Sequence, residues 1–218
     1  MARYTTLLFD FDGTIANTIP SIIYCAQLLL KSYGINVDDQ TIAQNTGRPI
    51  EEIFHILANT NDMEEIERYV EEYKALYMRE GLSRIVLFPK VAETLRKLHE
   101  NGIRMALSTN NFEKIVTPVI ERLGIMPYLN EIVCSDSSNV RNGKPAPDIA
   151  LEAMRRTNSL PEKTLVVGDF SYDIQMGVSA GTATCGVTFG SHSKETLLEA
   201  GATYTIDSFD ELLKIVLE

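Results

Sequence analysis

Hydrophobic and polar positions follow two different rhythms along this chain. Close to the N-terminus, and again from about residue 85, short apolar runs alternate with longer amphipathic stretches. Short apolar runs are typical of buried strands, and apolar residues three or four positions apart are typical of helices. The predicted strands are 6–9, 103–107, 132–134, 164–167, 184–188 and 203–206. Strands that alternate with helices form right-handed βαβ units, which predicts a parallel sheet.

The predicted helices divide the chain into a core and an insertion. Those of the core are 90–101, 111–123, 147–157, 171–180 and 209–216, and those of the insertion are 18–33, 38–46, 49–58 and 62–80. We therefore predict an α/β fold, with a Rossmann-like parallel sheet and helices on both faces. Residues 1–15 and 84–218 would form this core, and residues 16–83 an inserted all-helical cap domain. An insertion that directly follows the first strand is expected to act as a lid over the strand ends.

Composition narrows the classes of partner. The 218 residues are 44% hydrophobic and 23% charged, as in core-forming globular chains. The net charge of -10 argues against nucleic acid as a partner, and it means that an anionic substrate needs local positive groups. Three scattered cysteines, no recognisable signal peptide and no apolar run of membrane-spanning length predict a cytoplasmic protein without a membrane partner. Monomer and homodimer both remain open.

Two carboxylates follow the first predicted strand. Asp10 and Asp12 come directly after 6–9 and before Gly13. Ligands of open α/β sheets bind beyond the carboxyl ends of the strands. One carboxylate could attack an electrophile and the other could move a proton, and both could bind Mg²⁺. From this stretch alone, an ordinary Asp-Gly turn is an equally good interpretation.

Later strand ends carry polar side chains as well. Thr109 and Asn110 offer a hydroxyl and an amide before a predicted helix, whose N-terminus can bind an anion. Lys144 lies in the loop after the third strand of the core, and Asp169 and Asp173 follow the fourth. Singly, Thr109 could be a helix cap, Lys144 a surface lysine and Asp173 a first-turn helix acid. Together they place carboxylates, a hydroxyl and a lysine at one edge of a sheet.

This combination suits phosphoryl transfer. A phosphate dianion that approaches Asp10 at about 4 Å is repelled by roughly 8 kcal/mol at an effective dielectric near 20, which would slow attack by ~10⁵–10⁶. A Mg²⁺ ion held by Asp10, Asp12 and Asp169 would offset this repulsion, and Lys144 would supply a further positive charge that offsets it. Thr109 would hold phosphoryl oxygens. Asp12 would be the acid/base, because one of two adjacent acids must keep or recover a proton.

The chain resembles the haloacid dehalogenase-like (HAD) phosphohydrolases over essentially its whole length. The four motifs that carry the resemblance are Asp10-Phe11-Asp12-Gly13-Thr14, Ser108-Thr109-Asn110, Gly143-Lys144-Pro145 and Gly168-Asp169…Asp173. The helical insertion is similar to the C1-type cap of that family. Two glycine motifs, Gly177…Ala180-Gly181 and Ala200-Gly201-Ala202, are similar to those of its phosphoglycolate phosphatase and β-phosphoglucomutase-like branch.

The resemblance implies roles in the transfer of a phosphoryl group. Asp10 would be the nucleophile that forms an aspartyl-phosphate, and Asp12 would protonate the leaving group and then activate water. Thr109 and Lys144 would bind the phosphoryl group, with Asn110 beside them as a further substrate ligand.

The resemblance also implies a metal site. Asp169 would ligate Mg²⁺ together with Asp10 and the main-chain carbonyl of Asp12. Asp173 would support this site from behind the direct ligands.

Some positions depart from the family pattern. Asn17 stands where an acid is frequent, Phe170 where Ser is frequent, and Lys90 where Gly is frequent. No His lies in the first predicted cap helix, which favours a hydrolase over a mutase.

The cap offers one candidate for substrate recognition. The turn Thr46-Gly47-Arg48-Pro49 separates two predicted cap helices, with Gly47 as its hinge. Arg48 could bind a carboxylate or second phosphate of the substrate bidentately, and an ordinary surface arginine is an equally good interpretation.

The function predicted from the sequence is a Mg²⁺-dependent phosphatase of a small phosphorylated metabolite. Phosphoglycolate, a sugar phosphate, a nucleotide and pyrophosphate all remain open as substrates. The alternatives are a phosphoglucomutase-like phosphotransferase and, outside enzymes, a phospho-accepting signalling module. A receiver domain, the usual phospho-accepting module, has about half the length of this chain and no helical insertion, which disfavours the second alternative. A dinucleotide-binding enzyme is disfavoured because no GxGxxG motif follows the first strand.

Overall fold

The protein is described by a computed structural model that covers residues 2–46 and 48–218. The chain divides into two compact units. One contains the residues up to Asn17 together with Leu87–Glu218, and the other is Thr18–Val86. The predicted hinge at Gly47 lies outside the described residues.

The first unit is built on a parallel sheet, so the predicted α/β fold class is confirmed. The strands of the chain are β1 (Thr6–Phe9), β2 (Ala16–Asn17), β3 (Val86–Leu87), β4 (Arg104–Ser108), β5 (Glu131–Val133), β6 (Thr164–Gly168), β7 (Ala183–Val187) and β8 (Tyr204–Ile206). Six of them form the main sheet in the order β5-β4-β1-β6-β7-β8. In the centre, Leu8 of β1 lies between Ala106 of β4 and Val166 of β6. The short strands β2 and β3 mark where the chain passes between the units, and the sequence pattern did not predict them.

The helices of the second unit lie close to their predicted positions. They are α1 (Ile19–Ser32), α2 (Asp39–Asn45), α3 (Ile50–Ala58) and α4 (Met63–Leu76). The last predicted helix is not α-helical to residue 80, because α4 passes into a π-helical turn at Tyr77–Gly81. Aromatic side chains form the centre of this unit, where the Phe54 ring packs on those of Tyr69 and Tyr73.

The helices of the first unit alternate with its strands. They are α5 (Val91–Glu100), α6 (Glu113–Arg122), α7 (Asp148–Arg156), α8 (Ser171–Ser179), α9 (Lys194–Glu199) and α10 (Leu212–Leu217). Helix α9 was not predicted. Its six residues have one fully buried side chain, Leu197, and this is too short a stretch for a helical period to be recognised.

Helices cover both faces of the central strand. Leu8 packs in a cluster with Ile149 of α7 and Met176 of α8. Its neighbour Phe9 points to the opposite face, where its ring stacks on that of Phe209 at 5.6 Å between centroids. Because both faces are covered, all four residues of β1 are buried, which explains its continuous apolar run. Among the described residues, no helix combines the length and the apolar character that crossing a bilayer would require.

Candidate active site

The predicted site residues converge because their strands are neighbours. The main-chain N–H of Asp10 donates to the carbonyl of Val167 at 2.9 Å, which carries the β1–β6 ladder one residue further. In the same way, the N–H of Thr109 donates to the carbonyl of Val133 at 3.0 Å. The carboxyl ends of four parallel strands thus bring the predicted residues to one edge of the sheet.

Lys144 lies between two carboxylates. Its Nζ is 2.5 Å from Oδ1 of Asp10 and 2.6 Å from Oδ1 of Asp173. All three side chains are buried, and Lys144 is 4% exposed. The sequence interpretation of Lys144 as an ordinary surface lysine is therefore wrong.

Asn110 holds the backbone of the Lys144 loop. Its Oδ1 accepts a hydrogen bond from the N–H of Lys144 at 2.7 Å, and its Nδ2 donates to the Lys144 carbonyl at 3.4 Å. Gly143 packs directly on this amide, since a Cβ on that glycine would lie 2.6 Å from Oδ1 of Asn110. Asn110 thus supports Lys144, and its contact with a substrate stays a prediction.

Three carboxylates form a compact group. Asp10, Asp169 and Asp173 each offer an oxygen, and these oxygens lie within 4.8 Å of one another. Asp169 is held on both sides, because Oγ1 of Thr14 donates to its Oδ1 at 3.1 Å and the N–H of Ser191 donates to its Oδ2 at 2.7 Å.

Asp173 is oriented by its own helix start. The N–H of Phe170 donates to its Oδ2 at 3.0 Å, which leaves Oδ1 directed at Lys144. Asp173 therefore has two roles. It accepts a hydrogen bond from the main chain at the beginning of α8, and it belongs to the cluster of three carboxylates.

Burial and mutual repulsion control how these groups ionise. Burial raises the pKa of Asp10 well above its ordinary value, although the ammonium of Lys144 opposes the shift. Burial and the charge of Asp173 raise the pKa of Asp169 to about 7, against the hydrogen bonds from Ser191 and Thr14. For Lys144, burial would lower the pKa, but the carboxylates of Asp10 and Asp173 outweigh it and raise the pKa above its usual value. One lysine does not balance three carboxylates.

The donor set fits a divalent hard cation. Mg²⁺ prefers carboxylate and carbonyl oxygens, and three buried carboxylates that share an uncompensated negative charge offer such oxygens. The side chain of Asp12, predicted as a further ligand, lies outside this group of three, and its Oδ2 accepts a hydrogen bond from Nδ2 of Asn111. A role of Asp12 in holding the cation, through its carboxylate or its main-chain carbonyl, stays a prediction.

Thr109 and Arg48 are the remaining predicted residues. Thr109 is buried, and its Oγ1 accepts a hydrogen bond from the N–H of Asn111 at 3.1 Å, so its hydroxyl hydrogen can serve another acceptor. The Arg48 guanidinium pairs with Glu52 one helical turn away. Arg48 belongs to the second unit, and its contact with a substrate stays a prediction.

The loop after β7 was missed by the sequence analysis. Gly190 lies against Asp169, since a Cβ there would be 2.2 Å from Cβ of Asp169 and 2.5 Å from the carbonyl oxygen of Gly13. Together with Ser191 it fixes the position of Asp169. The available signal was its place directly after a predicted strand, at the same edge of the sheet as the other site residues.

Comparison with known proteins identifies the family. The family model described as "Haloacid dehalogenase-like hydrolase" matches residues 7–187. The chain therefore belongs to the haloacid dehalogenase-like hydrolases, and the family predicted from its four motifs is confirmed.

Individual relatives are similar over almost their full length. "Probable phosphatase IndB" of Dickeya dadantii is 29% identical over 211 residues, which are 95% of this chain and 91% of that protein. A phosphoglycolate phosphatase of Salmonella typhimurium is 27% identical, over 94% of this chain and 89% of that protein. The crystal structure of a haloacid dehalogenase-like hydrolase from Bacteroides fragilis superposes with a TM-score of 0.91 at 27% identity, over 96% of this chain and 99% of that one.

Proposed function

We propose that this enzyme is a Mg²⁺-dependent phosphatase that hydrolyses a small phosphomonoester through an aspartyl-phosphate on Asp10. Hydrolysis of phosphate esters is the reaction class that its family and its phosphatase relatives support. The observation that carries the proposal is the buried group in which Lys144 contacts Asp10 and Asp173 beside Asp169. A site that concentrates negative charge around one lysine suits a substrate that arrives with a cation.

Asp10 is the proposed nucleophile. It directly follows the central strand, and the ladder to Val167 fixes its main chain. A carboxylate oxygen of Asp10 attacks the phosphorus, and the bond from phosphorus to the leaving oxygen breaks. Lys144 holds Oδ1 of Asp10 and supplies positive charge where phosphoryl oxygens gather. Thr109 donates its hydroxyl to one of these oxygens.

Asp12 is the proposed acid and base. It gives its proton to the leaving oxygen, so the product departs as a neutral alcohol. The resulting carboxylate then takes a proton from a water molecule that attacks the phosphorus of the aspartyl-phosphate. Inorganic phosphate leaves, and Asp10 and Asp12 return to their initial states.

Asp10, Asp169 and Asp173 would hold the cation, with Thr14 and Ser191 orienting Asp169. When bound, Mg²⁺ supplies positive charge that offsets the repulsion between the carboxylates and the phosphate.

The proposed substrate class is a small phosphorylated metabolite, with a phosphoglycolate-like compound as the first candidate because of the named relative. The test is phosphate release from phosphoglycolate, sugar phosphates, nucleotides and pyrophosphate, with and without Mg²⁺. Release that requires Mg²⁺ supports the proposal. Isomerisation of a sugar phosphate with little free phosphate would support the phosphotransferase, and a stable phosphoprotein without turnover would support the signalling module.

The helical unit is proposed as a lid that selects the substrate. Arg48 is proposed to bind a carboxylate or second phosphate of that substrate. The enzyme is proposed to act in the cytoplasm.

The first prediction concerns the cation and pH. Mg²⁺ should raise the unfolding temperature more at pH 8 than at pH 5. The pKa of Asp169 is about 7 in the native state and near 4 when unfolded, so between these values the native state binds more protons. Without a cation, stability therefore falls as pH rises through this window, by at most about 1.4 kcal/mol per pH unit for one proton. A cation takes the place of the protons at pH 8 and must compete with them at pH 5.

Thermal unfolding between pH 5 and 8, with and without Mg²⁺, measures this effect. The variant Asp169→Asn serves as the control, since it should lose most of the response to Mg²⁺ and the part of the pH-dependent fall that Asp169 contributes, while the raised pKa of Asp10 sustains the rest. An equal response of the wild type at both pH values would contradict the assignment.

The second prediction concerns Gly190. Gly190→Ala should lower kcat by about 10²-fold. The new Cβ would overlap Asp169 and displace its carboxylate, and a displacement of about 1 Å in an active site costs about 10²-fold in rate. Mg²⁺ should also bind more weakly.

A matched control is Gly124→Ala, at a glycine of positive φ whose Cβ would meet nothing within 4 Å. This control should lose about 1 kcal/mol or more of stability through backbone strain and keep its activity. Wild-type kcat and Mg²⁺ affinity in Gly190→Ala would show that the loop does not position Asp169.

A further inference from the structure

Asn111 links a second strand end to Asp12. It lies after β4, which pairs with β1 in parallel register, and its Nδ2 donates a hydrogen bond to Oδ2 of Asp12. Asn111 and Asp12 both belong to the first unit of the chain. No step of the proposed reaction uses the Asn111 side chain.

The main chain of Asn111 is fixed on two sides. Its N–H donates to Oγ1 of Thr109 at 3.1 Å. Its carbonyl accepts hydrogen bonds from the N–H of Ser135 at 3.2 Å and from Oγ of Ser135 at 3.3 Å. Ser135 follows β5, so two strand ends hold the backbone from which the amide reaches Asp12. The amide thus starts from a rigid support and has only two side-chain torsions to fix.

We propose that Asn111 is a positioning residue, which holds the Asp12 carboxyl group in the orientation from which it protonates the leaving oxygen. The inference rests on the proposed role of Asp12 as general acid. A general acid must lie within hydrogen-bond reach of the atom that it protonates, and a displacement of about 1 Å costs about 10²-fold in rate.

The contact also assigns the proton to one oxygen of Asp12. The amide N–H of Asn111 can only donate, so Oδ2 of Asp12 is an acceptor when the acid is charged and when it is neutral. The contact therefore favours Oδ1 as the oxygen that carries the proton to the leaving group, because a proton on Oδ2 would weaken the bond from Asn111. Without Asn111, this donor no longer distinguishes Oδ2 from Oδ1.

The test compares two leaving groups in Asn111→Leu, which keeps the branched shape and removes the donor. p-Nitrophenyl phosphate releases a stable phenolate and needs little protonation, whereas the best alkyl phosphate of the substrate panel would have to release a strongly basic alkoxide if Asp12 did not protonate the leaving oxygen. We expect kcat/KM for the alkyl phosphate to fall ~30-fold, which is smaller than the full contribution of a general acid. The kcat/KM for p-nitrophenyl phosphate should fall less than ~3-fold.

Three companion variants sharpen the test. Asn111→Ala should give the same selective loss and provides a second folded protein if the leucine variant unfolds. Asn101→Ala is the matched control at the exposed end of α5, where the amide donates to the Lys97 carbonyl, and it should leave both rates unchanged. In the double variant of Asp12→Asn and Asn111→Leu, the loss for the alkyl phosphate should equal that of Asp12→Asn alone, because both changes remove one function.

Two results would overturn the inference. An equal loss for both substrates in folded Asn111→Leu would indicate a merely structural role, and additive losses in the double variant would show that Asn111 acts independently of Asp12. Failure of the proposed function is distinct from these results, because it would appear in Asp10→Asn as activity that persists for both substrates.

Discussion

Asp10→Asn is expected to abolish phosphate release, with kcat lower by about 10⁴-fold or more, as for other enzymes that lose their nucleophile. The amide that replaces the carboxylate is too weak a nucleophile to attack phosphorus and form the acyl phosphate. The change keeps the size of the side chain, so the fold should remain. It also removes one of three crowded carboxylates, and the cation-free variant should be at least as stable as the wild type at pH 8.

Phosphate release from the best substrate and acid trapping of the phosphoenzyme measure this effect. Asp210→Asn makes the same chemical change at an exposed carboxylate that pairs with Lys90, and it should leave kcat unchanged. If Asp10→Asn turned over substrate at the wild-type rate, Asp10 would not be the nucleophile. The phosphotransferase and signalling interpretations would then be tested next.

Lys144→Met is expected to be the most destabilising single change in the site. It leaves the buried carboxylates of Asp10 and Asp173 without the cation between them. Removing one partner of a buried ion pair costs about 3–5 kcal/mol. The cost should be larger at pH 8 than at pH 5, because protonation of Asp10 and Asp169 relieves the repulsion at low pH. The kcat of the folded variant should fall by about 10³-fold, since the variant loses the charge that is proposed to stabilise the transferring phosphoryl group.

Urea unfolding at both pH values, without added cation, gives the stability. Lys90→Met is the matched control, because Lys90 pairs with Asp210 at 2.9 Å while both side chains are exposed, and an exposed pair contributes at most about 1 kcal/mol. If the two variants lost the same stability, the buried carboxylates would be protonated in the native state and would not depend on Lys144.

The residues that could be predicted from sequence are those that follow strands. Parallel strands bring their carboxyl ends to the same edge, so recognising the strands before Asp10, Thr109 and Asp169 was enough to place these side chains together. Strand β1 could be predicted from its continuous apolar run, which exists because both faces of that strand are buried.

The supporting contacts could not be predicted in this way. Asn110 holds Lys144, Asn111 holds Asp12 and Ser191 holds Asp169, and each pair joins loops from different strand ends. Such pairs depend on loop conformation, which no hydrophobic period encodes. The short elements α9 and β2 were not predicted because they span too few residues to show a hydrophobic period.

The sheet order has a consequence for how the enzyme is made. Strand β1 is synthesised first, yet Leu8 pairs with Ala106 and Val166, which emerge much later from the ribosome. Until then an apolar strand with two open edges stays exposed, and such segments invite aggregation. Closing these long loops also slows folding. The strand that carries Asp10 thus gains its neighbours late, and a nascent chain that stops before β6 lacks Asp169 and Asp173.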